Sequence, residues 1–389
     1  MTGRVRKRGT RYQVIIDLGV GEDGRRKEIY RSGFETKKAA RAVMTQLLHE
    51  LQTGAYVEPS KLTVRAFMEQ WLKEGAAPKV GLKTLREYTH KTRAYIIPAL
   101  GDLLLAQLQP LHIQRFYNEA AVSGRKHGKG GLSAQTVLHL HRILHSALKQ
   151  GVKWRLLAWN PADAVDAPKP LPAEINAPDV DVCVELLRGF AGHALFVPMA
   201  ISIYTGMRRS EVLGLRWEDV DLDAGILRVR QALIETDGGR AGLVFKEPKT
   251  KNGRRPIELP PQLVEILTAH REKQREYREL LGNCYHESGL VACQEDGQPF
   301  VPTSYTRAVR AMTAGLGLDV KPNDLRHGYI SQLLEAGVNV KVVSSLAGHS
   351  TSSFTLDRYG HKLPGAGRNA ADKIGDAFRK KNEEPEAGT

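Results

Sequence analysis

The stretch 167–178, "APKPLPAEINAP", constrains this chain more than any other segment. Its prolines at 168, 170, 172 and 178 fix φ and remove backbone donors, so neither a helix nor a sheet can run through it. The composition predicts an extended, semi-stiff linker. A chain of 389 residues can build two or three separate cores. The sequence is therefore read as independent parts on either side of this break.

Upstream, two textures follow one another. Residues 1–57 read as a small basic module, in which "RYQVIIDLG" and "RRKEIYRSGF" are strand-like runs around the turn-forming "VGEDG". A helix is expected in "TKKAARAVMTQLLHELQTG", with Thr36 as N-cap and Gly54 at its stop. Gly19, Gly21 and Gly24 spell a dinucleotide-binding fingerprint. That motif must open a helix, and here it leads into another strand, so it is read as a hairpin tip. Residues 62–166 carry apolar residues at helical intervals throughout, with Ser133 as N-cap of the last helix. His141 and His145 stand at i, i+4, but no carboxylate or thiolate accompanies them nearby in the sequence. They are read as surface or phosphate-facing histidines rather than metal ligands.

Residues 179–389 form the largest part. "HALFVPMAISIYTGMRRSEVLGLRW" reads as buried helices, and "GILRVRQA", "GLVFKEP" and "RRPIELP" as short strands. The fold class expected is mainly α with small β-sheets, in three domains: a sheet-plus-helix module, a helical domain, and an α-rich domain with a small antiparallel sheet.

Charge narrows the partner. Lys and Arg number 57 against 43 Asp and Glu, a net of +14, and twelve of the basic residues face six acidic ones within residues 1–57. A field of that sign favours a polyanion, nucleic acid first and an anionic membrane second. No run approaches the ~20 apolar residues that span a bilayer, and the basic N-terminus lacks a signal peptide's apolar run. Cys183, Cys284 and Cys293 are too few and too irregularly spaced for a disulfide framework or a zinc site, which points to a reducing cytoplasm.

Four islands in 179–389 carry more polar chemistry than a core needs. In "TGMRRSEVLGLRW" Arg208 opens a helix, and Glu211 one turn on is placed to orient its guanidinium; a weak surface ion pair is the plain alternative. "FKEPKTKNGRRPIEL" reads as a hairpin with Lys249 and Lys251 at its tip and Gly253 in the turn. In "KPNDLRHGYISQLLEAG" Pro322 suits a helix start, and Asn323 and Arg326 fall on one face. The last is "SSLAGHSTSSFTLDRYGHKL", with His349 and Tyr359.

Taken in order, TGxRxxE, a lysine hairpin, DLRH, AGH and RYGH resemble the tyrosine site-specific recombinases, and among them the phage-type, lambda-like integrases. The helical run "LSAQTV…LHSALKQGVKW…NPADAV" is similar to their core-site-binding (SAM-like) domain, and the basic module to their arm-site-binding domain. The resemblance implies strand cleavage and rejoining through a 3′-phosphotyrosine link, without metal, ATP or other cofactor. Tyr359 would be the nucleophile, Arg208 and Arg326 would hold the non-bridging oxygens, and His349 would hydrogen-bond the scissile phosphate. Lys249 would protonate the departing 5′-oxygen, with Lys251 as second choice. Asn323 departs from the family's H-x-L-R-H. Either it keeps the phosphate contact at modest loss of rate, or the enzyme is impaired; we favour the first because the other positions are filled. His327 is expected to point elsewhere and is given no role. The resemblance further implies double-stranded attachment-site DNA as partner, a homotetramer on two sites, and an excisionase and a DNA-bending host factor as helpers. A neighbouring subunit would take the apolar stripe Ala370, Ala371, Ile374, Ala377 and Phe378, unless its own domain does. A DNA-binding accessory protein with lapsed catalysis and a type IB topoisomerase-like relaxing enzyme are the alternatives.

Overall fold

The computed structural model describes residues 2–20, 24, 26–52, 56, 61–126, 128–171, 175–236, 238–248, 253–349, 351–360, 368, 371–372, 374–376 and 378–379. Gly21, Gly54, Lys249, Lys251, Ala370 and Ala377 lie outside them. The chain divides into two compact units, Met1–Pro172 and Ala173–Thr389.

In the first unit, strands β1 (Thr2–Arg8), β2 (Arg11–Val20) and β3 (Arg26–Phe34) form an antiparallel sheet in that order. Val20 of β2 stands opposite Arg26 of β3, and of the three glycines the described Gly19 and Gly24 lie in no helix. Strand β1 is missing from the sequence reading. Its alternating Arg and Lys leave Val5 as its one apolar side chain, and pairing with β2 rather than burial makes it a strand. Helix α1 (Lys37–Gln52) starts where Thr36 Oγ1 accepts from Ala39 N at 3.1 Å. Its Ala40 and Leu47 pack on Val14 and Ile16 of the sheet.

A separate helical core follows in the same unit, from α2 (Val64–Gln70), α3 (Leu82–Lys91), α4 (Ile97–Leu100), α5 (Pro110–Ser123) and α6 (Ala134–Lys153). Ser133 caps α6, accepting from Thr136 N at 3.3 Å. The 3.6-residue spacing of Val137, Leu140, Leu144 and Leu148 turns one α6 face onto Phe67, Ile96, Ile113 and Tyr117. The two histidines on α6 are less free than expected: His141 Nδ1 meets the Tyr117 hydroxyl at 3.1 Å and His145 Nε2 meets Asp163 at 2.7 Å. The acid lies eighteen residues away in sequence, where local spacing gives no sign of it.

The second unit is built around α8 (Phe196–Thr205), preceded by α7 (Val180–Gly189). Val197, Met199, Ala200 and Ile201 are all buried, as in a helix enclosed on every side. After it come α9 (Arg209–Val212), β4 (Val220–Asp221), β5 (Ile226–Val229), β6 (Ala232–Glu235), β7 (Leu243–Lys246) and β8 (Arg255–Glu258). Helices α10 (Pro261–Leu281), α11 (Pro302–Gly315), α12 (Pro322–Glu335), α13 (Val340–Ala347) and α14 (Ser352–Tyr359) complete it. The expected lysine hairpin is corrected here. Strand β7 pairs with β6, while β8 pairs with β5 in a second sheet, so "GLVFKEP" and "RRPIELP" are not partners. Both runs are short and apolar enough to pair with either neighbour, and proximity in sequence was a poor guide. Among the described residues no helix is long and apolar enough to cross a membrane.

Gly206 ends α8 in the left-handed region at φ 59°, and a Cβ there would stand 2.3 Å from the Tyr329 ring of α12. This close approach sets where Arg208 begins α9. Gly206→Ala is expected to lower the unfolding free energy by about 1–3 kcal/mol through backbone strain and overpacking, measured by urea denaturation.

Candidate active site

The C-terminal end of α13 organises the site. Gly348 adopts φ 65°, so Gly348 N returns to Ser345 O at 2.9 Å and His349 N to Ser344 O at 3.0 Å. That turn leaves three successive carbonyls at the helix end, and each takes an arginine from a different element. Arg255 Nε donates to Leu346 O at 2.6 Å, an Nη of Arg326 donates to Ala347 O, and Arg208 Nη2 donates to Gly348 O at 2.9 Å. Cations at a helix C-terminus are favoured by its dipole. Each charge-assisted bond contributes roughly 1.5–3 kcal/mol.

A buried carboxylate lies beneath. Glu211 is 4% exposed and accepts from Arg208 N at 3.0 Å, Arg208 Nη1 at 2.8 Å and Arg255 Nη2 at 2.9 Å. The first of these bonds is local: Glu211 reaches back to the residue that starts its own short helix. Burial pushes the Glu211 carboxyl up, but Arg255 and Arg208 outweigh it and hold the group below its ordinary value. The pairing expected between Arg208 and Glu211 is therefore present, and it is no surface ion pair. Arg255 is the residue the sequence reading passed over. It occupies an inward position of β8, alternating with Ile257, and an arginine at an apolar position of a period-2 strand was the available sign.

Arg326, on α12, also donates to Gly206 O at 2.8 Å, tying the end of α8 to the end of α13. Burial, then the neighbouring Arg208, pulls its guanidinium down to about 9, which leaves it charged at neutral pH. Each guanidinium has five N–H donors. Arg208 and Arg326 each spend two on the bonds above, whereas Arg255 spends Nε and both Nη atoms inside the protein. The Arg208 side chain remains 40% exposed. The arrangement can receive a tetrahedral anion on the spare donors of Arg208 and Arg326.

His349 follows the αL glycine directly. Its Nδ1 stands 2.8 Å from Thr355 Oγ1 and its ring meets Phe354 edge-on at 4.8 Å. Burial, then Arg326, Arg208 and Arg255, lowers its pKa to about 4, so the ring is neutral at pH 7. Tyr359, at the end of α14, is only 1% exposed. Burial raises its pKa, while Arg326 and Arg358 pull the other way.

One expectation is overturned. His327 does not point elsewhere: its Nδ1 hydrogen-bonds the Tyr359 hydroxyl, and its Nε2 lies 2.8 Å from Asn323 Nδ2. Positions 323, 326 and 327 are i, i+3 and i+4 of one helix, so all three share a face. Burial, then Arg358 and Arg326, lowers His327 to about 4. Of the sequence-predicted residues, Arg208, Asn323, Arg326, His349 and Tyr359 gather at this end of the unit, and Lys249 falls outside the described residues.

The two lowered histidines fix a sign for acid sensitivity. Unfolded, each takes up its proton near 6.5; folded, only near 4. Their contribution is whole above the unfolded value and is lost as pH falls between the two. The unfolding free energy should therefore decline from neutrality toward pH 4, and His349→Asn should flatten that slope in urea titrations at stepped pH.

Comparison with known proteins accords with this geometry. Residues 191–365 match the phage integrase family, residues 4–51 the arm DNA-binding domain, and residues 63–121 the phage integrase N-terminal SAM-like domain. A tyrosine recombinase XerC-like protein of Caldanaerobacter subterraneus is 28% identical over 386 residues, covering 94% of this chain and 96% of that protein. An integrase of Streptomyces ambofaciens is 26% identical, covering 90% and 89%. Among solved structures, the Tn1549 transposon integrase in complex with a circular intermediate DNA superposes with TM-score 0.68 at 19% identity, over 80% of this chain and 99% of that one. A lambda integrase tetramer bound to a Holliday junction gives 0.57 at 18%, over 90% and 96%. With arm-binding, SAM-like and catalytic segments matched in order, the chain belongs to the phage integrase family and is a tyrosine recombinase.

Proposed function

We propose that this enzyme cuts and rejoins double-stranded DNA at the attachment sites of a phage or mobile element, with Tyr359 as the nucleophile. The single observation that carries the reading is the docking of Arg208 and Arg326 on adjacent carbonyls beside His349, with Tyr359 in the same unit. A phosphodiester under attack gains charge on its non-bridging oxygens, and two preorganised guanidiniums with spare donors stabilise that charge. His349, neutral at pH 7, supplies a further hydrogen bond to the phosphate. Lys249 is assigned by sequence position the proton for the departing 5′-oxygen.

The covalent link retains the energy of the broken phosphodiester, so a 5′-hydroxyl of a second duplex can reverse it without ATP. A homotetramer on two sites is the working form we propose. In its favour, Ile374 and Phe378 of the C-terminal stripe are 59% and 68% exposed, so their own unit does not bury them. The basic three-stranded sheet with α1 is proposed to bind arm-type sites, which leaves room for a DNA-bending factor and an excisionase to set direction. The place of action is the cytoplasm. The filled arginine, histidine and tyrosine positions weigh against lapsed catalysis, and the added N-terminal module weighs against a lone relaxing enzyme.

A nicked suicide duplex drawn from the DNA that flanks the coding sequence should trap a covalent protein–DNA adduct, resolved by denaturing electrophoresis. Tyr359→Phe should abolish it. An adduct that persists in that variant would overturn Tyr359 as nucleophile.

A further inference from the structure

The chemistry above leaves one proton without an owner. A phenol must lose its proton as it attacks phosphorus, and burial has made that loss harder for Tyr359. Its hydroxyl sits in a residue 1% exposed, so bulk water is a poor acceptor. His349 is turned to Thr355 through Nδ1. Asn323 cannot take a proton at neutral pH. His327 is the imidazole whose Nδ1 touches the Tyr359 hydroxyl.

We propose that His327 is the catalytic base for Tyr359, and that Asn323 is the positioning residue that holds its ring for the transfer. The proposal rests on the reading of Tyr359 as nucleophile. The amide of Asn323 can offer His327 Nε2 either an N–H or, after a half-turn about its Cβ–Cγ bond, a carbonyl oxygen. The imidazole answers with one or other neutral tautomer. With the carbonyl on Nε2–H, the Nδ1 lone pair faces the phenol. As the Oη–P bond forms and the P–O5′ bond breaks, the Oη proton passes to Nδ1, and the leaving oxygen takes its proton from a separate acid. On rejoining, the 5′-hydroxyl attacks and gives its proton back to that separate acid, the Oη–P bond breaks and Nδ1–H returns its proton to Oη.

The charges around the ring decide when it can act. Arg326 on its own helix and Arg358 on α14 disfavour the imidazolium, and His349 lies near enough to couple with it. A phosphate seated on Arg208 and Arg326 adds negative charge beside His327 and makes it a stronger base. Proton transfer is thereby favoured when DNA is in place.

The test is single-turnover adduct formation on nicked suicide duplexes from the flanking DNA, followed against pH. His327→Asn keeps a polar atom near the Nδ1 position without a transferable proton site. It should slow adduct formation about 100-fold or more, with DNA binding retained. A duplex with a 5′-bridging sulfur, whose leaving group needs no proton, should leave that defect in place. Asn323→Asp puts a carboxylate on Nε2–H, and should move the acid limb of the wild-type profile to higher pH while His327 is intact. The proposal is overturned if His327→Asn stays within about threefold of wild type, if the sulfur duplex restores it, or if the acid limb in Asn323→Asp does not move. Failure of the wild-type protein to form any adduct would instead overturn both the function reading and the proposal built on it.

Discussion

Three arginines on three consecutive carbonyls hold this site together. Leu346, Ala347 and Gly348 end α13, and Arg255, Arg326 and Arg208 reach them from β8, α12 and the start of α9. The left-handed Gly348 makes the carbonyls available. The arrangement joins parts of the chain up to 140 residues apart. Without it, the arginines would be like charges crowded in a buried space. With it, their repulsion is offset by the helix end and by Glu211 below.

The division of labour among the three follows from their hydrogen bonds. Arg255 is consumed by the protein: its donors go to Leu346, Gly253 and Glu211, and its side chain is as buried as that of Glu211. It fixes the carboxylate that in turn fixes Arg208. Arg208 and Arg326 are held by part of their forks and keep the remainder for a ligand. A site of this kind needs little rearrangement when an anion arrives, which is the condition under which fixed donors lower a barrier most. Burial depresses His327 and His349, and nearby cations add to it: Arg326, Arg208 and Arg255 act on His349, and Arg358 and Arg326 on His327.

Much of the site was legible because its residues are tied to local signals. Thr205-Gly206 marks a helix stop, Arg208 and Glu211 share one turn, Pro322 opens a helix, and Gly348 closes one before His349. Their order along the chain carried the family resemblance. What escaped was non-local or a matter of helical phase. Arg255 reads from sequence only as the start of a strand, because its partners Glu211 and Leu346 lie 44 and 91 residues away. The pairing of β7 with β6, and of β8 with β5, depends on which sheet each short strand completes. His327 is a matter of phase: one position past Arg326, it stands one full turn past Asn323. Strand β1 has almost no apolar signature, since a ladder partner rather than a core defines it.

The α13 terminus and Glu211 preorganise the arginines before substrate binds. A crystal structure with half-site DNA and vanadate in place of the scissile phosphate tests this most directly. Tyr359 Oη and the spare donors of Arg208 and Arg326 should lie on the vanadate, with Arg255 on Leu346 and Glu211 still bridging Arg208 and Arg255. A structure in which Glu211 has released Arg208, or Arg326 has turned away from the vanadate, would contradict it.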